Sequence, residues 1–276
     1  MQYLEGYILS FTTLAFQLGV VWVLMNSRFM MHRIFRFFRK VEISACYMWG
    51  ARFLITFLFM GVFFSSVSSA AEEKSSIRES IEWVQIYVDS ANKNAKERVL
   101  LIGDSITNEY YARVCAALKG LSCAKFTTSA SVANEDFFRQ LNLVLSSYHF
   151  DYVHFNNGLH GFAYSENEYS QALESAVLNI LKFVPEKNLV IADSTPLFVE
   201  ASLSPEEKKV LAERNRKILA RNEIVYAIAK KYGLEVDYLH HLMKPSNKEY
   251  IDAYHHKKVA IDKLVHAVVA KLEEKL

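Results

Sequence analysis

The sequence predicts an α/β fold in which helices cover both faces of a five-stranded parallel sheet. Two observations support this prediction. After Glu97, short apolar runs typical of buried strands alternate with longer stretches whose apolar residues have the spacing of one helical face. The chain has 276 residues, of which 51% are hydrophobic, so it is long enough to bury the core of one domain and to carry an additional segment.

The predicted strands and helices alternate along residues 98–276, which we assign to a single domain. The strands are the runs 99–102, 124–127, 152–155, 189–192 and 234–236. The helices are the stretches 110–119, 135–147, 166–183, 205–232 and 257–272. Because strands that alternate with helices form parallel sheets, we expect one sheet with helices on both sides.

Two apolar stretches precede this domain. Residues 8–25 form a stretch that is about long enough to cross a bilayer. A basic run over 28–40 separates it from a second stretch, 53–70, which ends in the small residues typical of a signal-peptide cleavage site. We therefore expect residues 1–71 to act in targeting or membrane attachment, and both roles export the rest of the chain.

Two interpretations of this segment remain open. In the first, translation begins at Met48, residues 48–71 are a signal peptide, and the mature protein begins near Ala71 and is periplasmic or secreted. The residues before Met48 would then come from a wrongly assigned start. In the second, both apolar stretches stay in the membrane as an anchor, with the basic run in the cytoplasm.

Residues 72–97 connect the two parts of the chain. This segment is polar, but Ile77, Ile81, Val84 and Val88 recur at the spacing of one helical face. We therefore expect a linker with one short amphipathic helix that packs on the domain.

The charge pattern excludes one class of partner. The formal net charge is +2, a basic run lies near the amino terminus, and acidic and basic residues are interspersed in the rest of the chain. This pattern is typical of a solvated surface, so we expect no nucleic-acid partner.

Cys115 and Cys123 lie close together in the part of the chain that is expected to be exported. In an oxidising compartment an even pair at short separation favours a disulfide, so we expect a bridge between them. The alternative is a pair of small buried apolar residues.

A Gly-Asp-Ser motif follows the first predicted strand, at 103–105. Gly103 ends the apolar run where the backbone must turn, and Asp104 and Ser105 favour a turn or the start of a helix. We therefore expect Ser105 at the carboxyl edge of the sheet, where open α/β sheets bind ligands. Backbone N–H groups at that edge can stabilise a negatively charged oxygen, which makes Ser105 a candidate nucleophile.

The segment Asp-Ala-Tyr-His at 252–255 lies just before the last predicted helix. A serine hydroxyl is a poor nucleophile until a base removes its proton, and an acceptor must hold that base in one tautomer. On a turn, the Asp252 carboxylate can accept from one ring nitrogen of His255 and leave the other facing Ser105. The alternative is that Asp252 caps a helix and His255 is a surface residue.

The segment Asn-Asn-Gly-Leu-His-Gly at 156–161 directly follows the third predicted strand. It would form a second wall of the same crevice. The amide of Asn157 or the imidazole of His160 can then donate a hydrogen bond to a developing negative charge. As an ordinary turn, the segment needs its glycines but neither of these side chains.

Together these three segments resemble the SGNH, or GDSL, hydrolases, and the resemblance covers residues 98–276. It implies a flavodoxin-like three-layer α/β/α sandwich and a serine esterase mechanism that needs no cofactor. It would make Ser105 the nucleophile and the first oxyanion donor. His255 would be the base, and Asp252 would orient it.

Two segments depart from the pattern of this family. The family usually has a glycine after the second strand whose N–H serves the oxyanion, but here there is none, and Ser129 or Ala130 is expected to take its place. The third block is usually Gly-x-Asn-Asp, and His160 stands where the asparagine is expected, two residues after Gly158. We expect His160 to be the donor, with Asn157 as a nearby substitute.

The resemblance and the expected export predict a serine esterase that removes a small acyl group, acetyl in particular, from a carbohydrate or similar polar ester. Two alternatives use the same fold: an acyltransferase that acts on an envelope glycan, with an alcohol in place of water, and a glycan-binding module without catalysis. We expect no metal, because the histidine pairs at 240–241 and 255–256 lack the spacing of a structural zinc site.

Overall fold

The computed structural model describes residues 77–92 and 97–275, all of them within the compact unit Lys74–Leu276. The predicted targeting segment, 1–71, lies outside the described residues, and so do both of its apolar stretches. None of the helices within 77–92 and 97–275 combines the length and the hydropathy of a membrane span.

One sheet runs through the described residues, and it contains six strands. They are β1 (Val84–Val88), β2 (Arg98–Gly103), β3 (Ser122–Thr128), β4 (Tyr152–Phe155), β5 (Leu189–Ala192) and β6 (Glu235–Asp237), in the spatial order β1-β3-β2-β4-β5-β6. Strands β2 to β6 are parallel and correspond to the five predicted strands, so the predicted parallel sheet is confirmed. Strand β1 is additional and pairs antiparallel with β3 at one edge.

Helices follow the strands in the predicted order. They are α1 (Ser105–Ala117), α2 (Glu135–Ser147), α3 (Glu166–Ile180), α4 (Pro205–Tyr232), the one-turn α5 (Leu239–Leu242) and α6 (Lys258–Glu273). The five predicted helices are confirmed, and α5 is additional. Helix α1 begins at Ser105 rather than at residue 110, because Asp104 caps it there.

Two apolar clusters lie on opposite faces of the sheet. One packs α2 and α3 against side chains that include Ile102, Phe126 and Phe155. The other packs α1 and α6 against side chains that include Val99 and Leu101. Because neighbouring side chains of a strand point to opposite faces, β2 contributes to both clusters. The predicted three-layer α/β/α architecture is therefore confirmed.

The prediction of a short helix within residues 72–97 is wrong, because the centre of this segment forms β1. Val84 pairs with Thr128 of β3 in antiparallel register. Ile81 is 76% exposed, so the apolar residues with helical spacing do not share one buried face. The run Val-Gln-Ile-Tyr-Val is rich in β-branched and aromatic residues, which favour a strand, and the edge of β3 supplies its backbone partners.

The predicted disulfide between Cys115 and Cys123 is also wrong, since both are free cysteines. The thiols contact each other, and the hydrogen bond between them lowers the pKa of Cys115 and raises the pKa of Cys123. Cys123 is buried in the same apolar cluster as Val114 and Leu118. The pair therefore packs between α1 and β3 as small apolar side chains, which is the alternative that the sequence left open.

Candidate active site

Ser105 lies where β2 ends and α1 begins, at the carboxyl edge of the sheet. Gly103 is the last residue of β2, and a Cβ atom at this position would overlap the Thr107 hydroxyl. The absence of a side chain therefore lets the first turn of α1 lie close to the strand. Asp104 caps the helix by accepting a hydrogen bond from the Ile106 N–H at 2.9 Å. The structure thus places Ser105 at the edge where the motif predicts it.

Asp104 is fully buried directly before this serine. Its Oδ1 accepts the capping bond, while Oδ2 has no hydrogen-bond partner among the described residues. Burial raises the pKa of the Asp104 carboxyl, and the nearby His160 opposes part of this shift. The charge of Asp104 is therefore disfavoured in the folded chain.

The structure brings the three predicted triad residues into one hydrogen-bonded chain. His255 Nε2 lies 3.1 Å from Ser105 Oγ, and His255 Nδ1 lies 2.8 Å from Asp252 Oδ2. Because an ionised carboxylate only accepts hydrogen bonds, we assign the ring proton to Nδ1, which leaves Nε2 as an acceptor for the hydroxyl. The serine and the histidine are 150 positions apart in the chain.

Asp252 holds its own loop as well as the histidine ring. Its Oδ1 accepts hydrogen bonds from the N–H groups of Tyr254 and His255, at 2.7 and 2.8 Å. Burial raises the pKa of this carboxyl, but the hydrogen bonds from the His255 ring and from the two N–H groups outweigh burial, so the pKa of Asp252 is lowered. The form that orients His255 is therefore the favoured one.

The polar groups of Ser129 and Asn157 hold loops together. Trp83, which precedes β1, accepts from the Ser129 N–H at 3.1 Å and donates its own N–H to Ser129 Oγ at 2.9 Å. The Asn157 amide accepts from the Val132 N–H and donates to the Ala130 carbonyl, both at 3.1 Å. The N–H of Ala130 is bonded as well. The groups expected to face an oxyanion in these residues therefore bond within the fold.

Gly158 and His160 belong to the loop that follows β4. A Cβ atom at Gly158 would overlap the Ser194 hydroxyl, so the glycine allows this loop to approach the segment after β5. The His160 side chain is 21% exposed, and its Nδ1 lies 3.8 Å from Glu79 Oε1. Glu79 also accepts from the Gly161 N–H at 2.8 Å. Among the predicted donors of this loop, His160 is the one whose side chain keeps access to solvent.

Arg221, in α4, holds the same loop and is not predicted from the sequence. It is fully buried and donates to the carbonyl groups of Gly158, His160 and Gly161, at 2.9, 2.7 and 2.9 Å. Its Nε also lies 3.1 Å from Glu166 Oε2. A guanidinium group carries five N–H donors in a fixed plane, so one arginine can satisfy several carbonyl groups of an irregular loop.

The next residue, Asn222, holds the segment after β5. It accepts from the Ser194 N–H at 2.8 Å and donates to the Ser194 carbonyl at 3.0 Å. Arg221 and Asn222 lie on the stripe of α4 that also buries Ile218 and Val225. A polar residue at the spacing of a buried helical face is the sequence signal that would have identified both.

A groove lies beside Asp252, and its lining includes neither Ser105 nor His255. This open groove of about 760 Å³ reaches Asp252, with apolar side chains such as Phe198 and Ile251 and carboxylates such as Glu206 along its lining. Across the described part of the chain, no three His, Cys, Asp or Glu side chains come together as metal ligands.

We predict that replacing Arg221 with methionine strongly destabilises the domain. The change removes the donor of three buried hydrogen bonds and leaves Glu166 with only its more distant cation, Lys217, so the free energy of unfolding should fall by about 3 kcal/mol or more. Urea denaturation of the full chain measures this loss. The control Lys209→Met removes an exposed cation from the same helix and should change stability by less than about 0.5 kcal/mol. Equal losses in the two variants would contradict the role of Arg221.

We also predict that Asp104→Asn gains stability relative to the parent as the pH rises. Asparagine keeps the helix cap and removes a charge that burial disfavours. Because the pKa of Asp104 is raised in the folded chain, its contribution to stability is fully present below the unfolded pKa and is lost as the pH rises through the folded pKa. Urea denaturation at several values between about pH 4 and pH 7 measures the trend.

Asp252→Asn is the matched control and should show the opposite trend. The pKa of Asp252 is lowered in the folded chain, so its contribution is present above the unfolded pKa and is lost as the pH falls through the folded pKa. The variant should therefore lose stability relative to the parent as the pH rises, by a smaller amount because Asp252 is half exposed. The same direction of change in both variants would contradict these assignments.

Comparison with known proteins supports the fold. No protein-family model matches the sequence, and no curated protein matches it. Solved structures do match: a carbohydrate acetylesterase from Sinorhizobium meliloti superposes with a TM-score of 0.53 at 16% identity, over 66% of this chain and 100% of that protein. A GDSL-like lipase from Bacteroides thetaiotaomicron superposes with a TM-score of 0.52 at 15% identity, over 65% and 89% of the two chains.

A third match is an acetylxylan esterase from Geobacillus stearothermophilus, with a TM-score of 0.50 at 15% identity, over 64% of this chain and 94% of that one. At these identities the likeness concerns the arrangement of strands and helices, and it agrees with the sheet described above. The chain has the fold of the GDSL, or SGNH, hydrolases.

Proposed function

We propose that this protein is an exported serine esterase that removes a small acyl group, acetyl in particular, from a carbohydrate or similar polar ester. The observation that carries the proposal is the hydrogen-bonded chain from Ser105 through His255 to Asp252, at the edge where α/β sheets bind ligands. Two solved structures with the same fold are named as a carbohydrate acetylesterase and an acetylxylan esterase, which supports the choice of acyl group and substrate class.

In the first half of the proposed reaction, Ser105 Oγ attacks the carbonyl carbon of the ester while His255 Nε2 takes the hydroxyl proton. The carbonyl oxygen becomes an oxyanion. When the tetrahedral intermediate collapses, the bond to the alcohol breaks and the imidazolium gives its proton to the leaving alcohol. Asp252 accepts from Nδ1–H and stabilises the imidazolium between the two proton transfers.

In the second half, water attacks the acyl group on Ser105. His255 Nε2 takes a proton from the water and then returns one to the serine oxygen as the acyl bond breaks. The products are the carboxylic acid and the free enzyme, so no further reactant is needed.

The oxyanion needs donors that are in place before the reaction. Ser105 is the first residue of α1, where an N–H has no partner within the helix and the helix dipole favours negative charge. We propose His160 as the second donor. Its side chain is partly exposed, whereas the polar groups of Ser129 and Asn157 bond within the fold.

The exposure of the triad supports a bulky polar substrate. The side chains of His255 and Asp252 are 40% and 52% exposed. An exposed base can act on an ester at the surface of a large molecule without enclosing it.

Export is part of the proposal and rests on the predicted targeting segment, 1–71. Amino-terminal sequencing of the processed protein tests it. A start near Ala71 supports a secreted or periplasmic hydrolase. Retained apolar stretches would support membrane attachment and would favour the acyltransferase alternative, in which an alcohol of an envelope glycan replaces water in the second half of the reaction.

We predict that Ser105→Ala abolishes hydrolysis of an aryl acetate, with a loss of about 10⁴-fold or more in kcat, because the acyl group then has no oxygen to which it can be transferred. Steady-state kinetics on the full chain measures this loss. The control Ser146→Ala removes an exposed hydroxyl of α2 that bonds only within its own helix, and it should leave kcat unchanged. Unchanged turnover in Ser105→Ala would remove this serine from the mechanism.

Labelling with a fluorophosphonate probe separates an enzyme from a glycan-binding module. The probe forms a bond to an activated serine oxygen, so the parent chain should be labelled at Ser105 and Ser105→Ala should not be. Absence of labelling in the parent would favour the module without catalysis.

A further inference from the structure

The loop that carries Asp252 and His255 is exposed at its tip and hydrogen-bonded at its two ends. Both side chains at the tip are at least 40% exposed. Between the two ends of the loop, the Ile251 N–H donates to the His255 carbonyl at 2.8 Å, and the Lys257 N–H donates to the Glu249 carbonyl at 2.7 Å. The contacts that hold the two ends of the loop therefore determine where Asp252 and His255 lie.

His256 lies at the C-terminal end of this loop and is fully buried, although it directly follows the exposed His255. Both of its donors face one carboxylate. The backbone N–H donates to Glu109 Oε1 at 3.0 Å, and ring Nδ1 lies 2.9 Å from Glu109 Oε2. Because a carboxylate accepts only, the ring proton is assigned to Nδ1. This pair of bonds fixes the backbone and the ring orientation of His256 at the same time.

Glu109 belongs to the helix that carries the nucleophile. It follows Ser105 by four positions in α1, which places the two residues on neighbouring turns of one helical face. The carboxylate is only 15% exposed, so water competes weakly for it. The bonds between Glu109 and His256 therefore connect the helix of Ser105 to the loop of His255.

Packing of the His256 ring does not replace this connection. The centre of the His256 ring lies 4.7 Å from the centre of the Tyr250 ring. The Tyr250 hydroxyl donates to the Pro196 carbonyl at 2.6 Å. These contacts bury the ring and hold it against the segment after β5. They do not join it to α1, where Ser105 lies.

We propose that Glu109 is a positioning residue that acts through His256 to hold His255 Nε2 within hydrogen-bond distance of Ser105 Oγ. The proposal rests on the proposed esterase function and adds to it a residue outside the triad. The Glu109 carboxylate is hydrogen-bonded to His256 and not to a triad residue, so its loss should change the rate of proton transfer and not the binding of the ester.

The test is Glu109→Gln in the full chain. A glutamine has the same length, but it can accept with only one oxygen and presents an N–H₂ donor to the other donor of His256. We expect kcat for an aryl acetate to fall by about 10- to 100-fold, because a small displacement of a base costs about this much, while KM changes by less than about twofold. The rate of fluorophosphonate labelling at Ser105 should fall in parallel with kcat.

Asp262→Asn is the matched control. Asp262 of α6 pairs with Arg113 of α1 at 2.6 Å, so it is another polar link between α1 and the C-terminal part of the chain. It is not bonded to the loop that carries Asp252 and His255. This variant should keep the parent kcat. Thermal unfolding of both variants reports any loss of folding separately. An equal fall of kcat in the two variants, or a rise in KM at unchanged kcat in Glu109→Gln, would overturn the proposal.

His256→Asn provides a second variant that remains informative if Glu109→Gln does not fold. The asparagine keeps the backbone N–H, but its shorter side chain reaches the Glu109 carboxylate less well than the imidazole, so kcat should fall below that of the parent while KM changes by less than about twofold. The parent kcat in this variant would overturn the proposal. The double variant should lose no more than Glu109→Gln alone, because both changes interrupt one connection. If the fold decrease in kcat of the double variant equals the product of the two single decreases, Glu109 acts through another residue and the proposal is wrong.

The outcomes separate this proposal from the proposed function. If Ser105→Ala abolishes turnover and Glu109→Gln keeps the parent kcat, the esterase function stands and the role of Glu109 is wrong. If the parent chain neither hydrolyses the ester nor is labelled at Ser105, the proposed function is wrong, and the role of Glu109 is wrong with it.

Discussion

Parallel pairing at the centre of the sheet is the constraint on which the site depends. Strand β2 pairs in parallel with both β3 and β4, so the segments that follow these three strands leave the sheet at one edge. Ser105 follows β2, the loop of Ser129 follows β3, and the loop of Asn157 follows β4. The C-terminal part of the chain then brings His255 to the same edge. An antiparallel strand in place of β3 or β4 would send its loop to the opposite edge and remove one wall of the site.

Buried polar side chains give these loops their fixed shape. Arg221 holds the loop after β4, Asn222 holds the segment after β5, and Asn157 holds the loop after β3. An unpaired N–H or carbonyl group costs about 1–3 kcal/mol when buried, so a buried loop without regular structure needs donors and acceptors from elsewhere in the fold. The amide groups of Asn157 and Asn222 and the guanidinium group of Arg221 supply these donors and acceptors.

The parts of this fold that could be predicted from the sequence are those encoded by neighbouring residues. The apolar runs identify the parallel strands, and the motif at 103–105 locates Ser105 at the carboxyl edge. The helix predicted within 72–97 is wrong because this segment pairs with the free edge of β3 as strand β1. The spacing of its own apolar residues carries no information about that edge. Glu109 could not be found because its partner is 147 positions away and only the folded chain brings the two together. Long-range pairing of this kind has no local signal.

A base in an open site must satisfy two opposing requirements, since it has to meet the substrate and yet keep its distance to the nucleophile. His255 and His256 divide these requirements between consecutive residues, one at least 40% exposed and the other fully buried. The division is possible because His256 forms an antiparallel bridge with Tyr250, and neighbouring residues of an extended segment point to opposite sides. In the proposed mechanism, the contacts of the buried His256 ring would therefore fix the position of the His255 ring, which stays accessible to the substrate.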